Sequence, residues 1–62
     1  MTDKKLKNNF RRQTRRLIEL ETKREDLIAD GGTKSELSRV NDLIQVQVLR
    51  VAESRDTLAF YL

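Results

Sequence analysis

Asp30-Gly31-Gly32-Thr33-Lys34-Ser35-Glu36 stops one helix and starts another. Glycine tolerates the left-handed conformation that commonly closes a helix, and it is entropically costly inside one, so the pair Gly31-Gly32 marks an end. Thr33 followed three positions later by Glu36 is a capping box at a helix start, in which each side chain is expected to satisfy the other's backbone amide.

Upstream of this turn, a first helix is expected from Thr2 or Asp3, either of which can cap it, to about residue 29. Leu6, Phe10, Leu17, Leu20 and Leu27 fall on alternating steps of four and three once Gln13 and Arg24 join the same stripe. Downstream, a second helix is expected over about 34–60, with a seam of Leu37, Val40, Ile44, Gln47, Val51, Ser54, Leu58 and Tyr61. Each run is about 27 residues, or roughly 40 Å at 1.5 Å per residue. Equal helices across a short turn predict an all-α fold, an antiparallel helical hairpin joined at Gly31-Gly32 and forming a single domain over 1–62. In that hairpin Gln13 is expected near Ser54, and Arg24 near Gln47 or Ile44. Leu17, Leu20, Ile44 and Val51 are expected to form the central layers.

Composition points the same way. The 62 residues contain no proline, and 37% are charged against 5% aromatic, the profile of a long-helix protein. A chain this short buries only about 60% of its unfolded surface and needs reinforcement. Cysteine and histidine are both absent, so disulfides and zinc are excluded and self-association is left. The lack of cysteine fits a reducing compartment, and the default expectation is cytoplasmic. No apolar stretch approaches the roughly 20 residues of a membrane span, and no hydrophobic segment follows the N-terminal lysines as a signal peptide requires.

Apolar residues are shared unequally, eight in the first helix and fourteen in the second. Between Leu43 and Ala52 much of the second helix is apolar around its circumference, more than one neighbouring helix covers. A dimer or higher assembly with the second helix at its centre is therefore expected, a four-helix bundle from two hairpins being the simplest closed form. Leu43, Val46, Leu49, Val51 and Phe60 are the candidate oligomer or partner interface.

Charge is distributed as unevenly as apolar surface. Residues 1–16 carry Lys4, Lys5, Lys7, Arg11, Arg12, Arg15 and Arg16 against the single acid Asp3, a balance of +6, while the remainder comes to −3. Arg11, Arg12, Arg15 and Arg16 form two pairs spaced by four, one contiguous strip on a helix. Positive charge near a helix N-terminus opposes the macrodipole. Glu53 and Asp56, brought alongside by the antiparallel fold, are expected to offset only part of it. Arginine's planar fork suits phosphate, and Asn8, Asn9 and Gln13 lie among the bases, placed to contact base edges. The seven basic residues are the candidate nucleic-acid contacts, for DNA or RNA. The alternatives are a solvated helix end and an anionic protein partner.

The segment Asn9-Phe10-Arg11-Arg12-Gln13-Thr14-Arg15-Arg16 resembles the arginine-rich helical peptides with which some phage antiterminators bind RNA. The resemblance covers about eight residues and implies that such a helix enters a groove or widens onto phosphates. The expected architecture, although not the sequence, is similar to that of the plasmid-encoded Rop hairpins, which bind paired RNA loops as four-helix dimers.

Most enzyme classes are excluded. No Ser-His or Cys-His nucleophile is available, and glycines occur only at Gly31-Gly32, so phosphate-binding loops are absent. Glu19, Glu21, Glu25 and Asp26 are interleaved with Lys23 and Arg24 as ordinary surface pairing, without a metal site. Ser38-Arg39-Val40-Asn41-Asp42 looks like the Ser-x-x-x-Asp signature of the Spo0E-type aspartyl-phosphate phosphatases, also hairpins. However, Asn41 stands where that signature has leucine, and the distance from turn to Ser38 is short for the family. Aligning the apolar stripe instead sets Asn41 and Gln45 on the signature positions and removes the carboxylate.

These features together predict a small, non-enzymatic regulatory or accessory protein, of a phage or mobile element, with no cofactor. It is expected to dimerise and present its basic ends to nucleic acid. The second expectation is an adaptor, inhibitor or assembly factor docking through Val46, Leu49 and Phe60, and the remote one is the phosphatase.

Overall fold

The computed structural model of the chain describes residues 3–61. It contains two helices, α1 (Asp3–Ala29) and α2 (Lys34–Tyr61), packed against each other as a hairpin. Thr2, one of the two expected caps, and Leu62, counted among the apolar residues of the second helix, lie outside the described residues. No helix among the described residues is long and apolar enough to cross a membrane.

Backbone hydrogen bonds close one end of the turn and a side-chain cap opens the other. Gly31 has φ +74°, the left-handed conformation that costs a non-glycine residue a Cβ clash. The amide of Gly32 donates to the carbonyl of Leu27 (2.6 Å), and that of Gly31 to the carbonyl of Ile28 (3.3 Å). These are the two bonds of a Schellman closure, and they satisfy carbonyls that the end of α1 leaves open. At the start of α2 the Glu36 amide donates to Thr33 Oγ1 (3.2 Å). The return half of the box differs from expectation. The Glu36 carboxylate accepts from the Thr33 hydroxyl (3.1 Å), not from its amide, so one side chain is acceptor and donor at once.

The seam residues are buried or half-buried, with one exception. Tyr61 is 62% exposed, as is its neighbour Phe60 at 81%. Their rings meet edge to face at 5.1 Å. The register explains this. Gln47 bonds Gln13 across the hairpin, so moving one heptad either way sets Leu6 level with Ser54 and Leu20 level with Val40. Residues past 57 then extend beyond the level of Asp3 and have no described part of α1 beside them.

The same register corrects three expectations. Gln13 faces Gln47, not Ser54. The buried Ser54 hydroxyl instead donates to the Val51 carbonyl in its own helix (2.8 Å). Arg24 lies level with Leu37, well away from Gln47 or Ile44. The cause is the tightness of the turn: with four residues between the helices, positions equally far from residue 30 come level, whereas the expected pairing was offset by a heptad.

The core is small. Leu6, Leu20 and Val40 are its buried apolar side chains, and Gln47 and Ser54 are the buried polar ones, among the described residues. Of the expected central layers, only Leu20 is buried, while Leu17, Ile44 and Val51 are half-exposed. In α1 the half-buried row (Phe10, Leu17) follows the buried row by four residues, and in α2 the half-buried row (Ile44, Val51, Leu58) does the same. Equal offsets in antiparallel helices fall on the same side, so one side of the hairpin carries a continuous half-covered apolar row.

Candidate nucleic-acid interface

All seven basic residues of the N-terminal third are exposed. The repeat of α1 spreads them around its outer surface, because successive residues are about 100° apart. The expected single strip is therefore a broad band with two flanks. Lys5, Asn8, Asn9 and Arg12 line one groove, whereas Arg11 and Arg15 line another with Phe10, Thr14 and Ile18.

Ion pairing in this band is sparse. Arg16 reaches Glu19 at 3.7 Å, one turn on, with both side chains more than half exposed. Such a pair contributes about 0–1 kcal/mol. Arg11, Arg12 and Arg15 make no ion pair among the described residues. The expected compensation from α2 is divided. Glu53 lies across the seam in a groove with Leu6, Asn9, Gln13 and Arg50, while Asp56 sits 3.7 Å from the adjacent Arg55. Arg11, Arg12 and Arg15 thus keep positive charge for which the described residues supply no ion pair.

Polar groups between the bases are differently placed from one another. Asn8 is exposed beside Lys5 and Arg12. Asn9 is half-buried and its Oδ1 accepts from Gln13 Nε2 (3.3 Å). Gln13 in turn accepts from Gln47. Asn8 is open to a ligand without breaking an internal bond, whereas both ends of the Gln13 amide are engaged, so Gln13, expected among the base contacts, is structural.

The other candidate surface lies on α2. Leu43, Val46, Leu49 and Phe60 are exposed, Leu49 at 65%. Leu43 is one heptad from Arg50, and both Val46 and Phe60 are one heptad from Glu53. They therefore flank the side of the hairpin that carries the Asn9, Arg50 and Glu53 groove, opposite to the half-covered row. Val51, grouped with them from the sequence, belongs to that row and is half-buried against α1. Ser38 and Asp42 are exposed one turn apart on α2, as are Asn41 and Gln45.

Comparison with family models, with curated proteins and with solved structures finds no match for this chain.

Proposed function

We propose that this hairpin is a non-enzymatic accessory protein whose basic band contacts nucleic-acid phosphates. One observation carries the reading: Arg11, Arg12 and Arg15 are exposed and without an ion pair among the described residues. A charge that only solubilised the chain would be expected to mix with acids, whereas this end concentrates one sign where the helix dipole already opposes it. The groove of Lys5, Asn8, Asn9 and Arg12 joins cations to an amide, a combination that suits a phosphate with a neighbouring sugar or base edge.

Self-association belongs to the same proposal. A core of three buried apolar side chains among the described residues is too small for an independent two-helix fold. The half-covered row of Phe10, Leu17, Ile44 and Val51 is the surface that a second hairpin would complete.

The test is fluorescence anisotropy of duplex DNA, duplex RNA and single strands across a salt series, with the wild type and a variant in which Arg11, Arg12, Arg15 and Arg16 are alanine. Binding should weaken steeply with salt. For duplex DNA the log–log slope should fall by about 0.9 for each phosphate contact removed. Equal binding by the variant, or none by the wild type at low salt, would overturn the reading.

The exposure of Val46, Leu49 and Phe60 favours a second reading, a protein-binding adaptor using that flank of α2. Alanine at the four arginines would leave such binding largely unchanged.

A further inference from the structure

We propose that two copies of this chain pair with α1 against α1 in opposite directions, through a self-complementary strip beside the half-covered row. Lys7, Arg11, Thr14, Ile18, Glu21 and Glu25 recur at alternating steps of four and three. They form one line along α1, adjoining Phe10 and Leu17, and all are exposed except Thr14, which is half-buried. Phe10, Thr14 and Ile18 share a groove at its middle.

The line is basic at one end, weakly apolar at its centre and acidic at the other. A two-fold axis crossing α1 between Thr14 and Ile18 sets Lys7 opposite Glu25 of the second copy and Arg11 opposite Glu21. The same operation sets Thr14 opposite Ile18. All three pairings come from one register, as an isologous interface requires. Within one chain Lys7 and Arg11, and likewise Glu21 and Glu25, are like charges four apart, which destabilises a lone helix. None of these four makes an ion pair among the described residues, so a second copy would supply the missing counter-charges.

The apolar row agrees with this axis. Leu17 of each copy meets the other, and because Leu17 is level with Ile44, the two Ile44 side chains complete a central four-residue layer. The long face of the hairpin, 44 by 14 Å between Cα atoms, is on the scale of the roughly 800 Å² per partner of a standard interface. Arg12, Asn8 and Lys5 remain outside. With the axis at residue 16, the two Lys5 lie about 33 Å apart along the helix direction and the two Arg12 about 12 Å, so the two basic bands meet across the middle of the pair.

The inference rests on the self-association proposed above, and it is tested without nucleic acid because Lys7 and Arg11 stand in both surfaces. Sedimentation velocity on the full chain tests it with two charge reversals, Glu21→Lys with Glu25→Lys, and Lys7→Glu with Arg11→Glu, each checked for helicity by circular dichroism. Each variant alone should dimerise at least about tenfold more weakly than wild type, and an equimolar mixture should recover the dimer, because opposite signs then face each other at every position. A second measurement leaves the strip intact: a spin label on Ser35→Cys should report a distance of about 30 Å between copies. A monomeric wild type overturns both self-association and this geometry. A dimer that ignores the charge reversals, or holds its labels within about 20 Å, two helix diameters, overturns the geometry alone.

Discussion

The side-chain nitrogen of Gln47 donates to both oxygens that Gln13 presents, the backbone carbonyl at 2.9 Å and Oε1 at 2.8 Å. Gln47 is only 4% exposed, and its amide nitrogen is engaged with two acceptors. Gln13 passes the network on to Asn9. Among the described residues no buried side-chain nitrogen or oxygen lacks a partner. Gln47→Ala removes the donors and opens a cavity, and should cost about 1–3 kcal/mol in urea unfolding. Leucine at both positions should be at least as stable as wild type, while relaxing the register or the association state. Sedimentation would detect that change, and a double variant less stable than Gln47→Ala would contradict the argument.

The two turn glycines should respond to alanine for different reasons. Gly31 has φ +74° with open space where its Cβ would go, so Gly31→Ala should cost about 1–2 kcal/mol from the backbone alone. Asparagine should restore part of that. At Gly32 the Cβ would meet the Leu27 carbonyl oxygen at 3.0 Å and Leu27 Cβ at 3.1 Å. Asparagine should bring no relief there, because the obstacle is packing. Thermal unfolding of the four variants separates the two cases.

Thr33→Ala deletes the acceptor for the Glu36 amide and the donor to the Glu36 carboxylate together. A loss of about 1 kcal/mol is expected, within the usual 0.5–2 for a cap. Thr33→Ser should retain most of the stability. An alanine variant as stable as wild type would show the cap to be dispensable.

Arg11 and Arg12 are adjacent in sequence but border different grooves. Arg12→Ala should weaken nucleic-acid binding and lower the duplex DNA salt slope by about 0.9, without changing sedimentation. Arg11→Ala should likewise weaken nucleic-acid binding and, unlike Arg12→Ala, should also weaken self-association. Identical effects of the two substitutions on both measurements would contradict the division of the band.

Leu49→Ser and Phe60→Ser alter side chains that are 65% and 81% exposed. Each should change stability by no more than about 0.5 kcal/mol. Solubility should rise if this flank is open, and a large loss of stability in either variant would show it to be buried in the assembly.

Much of the hairpin was legible because its signals are local. Gly31 and Gly32 mark an end through backbone freedom, Thr33 and Glu36 mark a start through hydrogen bonds three residues apart, and the stripe from Leu6 to Leu27 follows from helical geometry. Exposure of the seven basic residues was equally local, since a lysine or arginine off the seam has nowhere else to go. What only the tertiary structure decided was the alignment of one helix on the other. The seam repeats every seven residues in both helices, so a slip of one heptad preserves the pattern, and the expected pairing of Gln13 with Ser54 differs from the observed one by that slip. The closure of the turn removes the ambiguity, seats Gln13 on Gln47, carries Phe60 and Tyr61 past the level of Asp3, and turns the row of Phe10, Leu17, Ile44 and Val51 to one half-covered side.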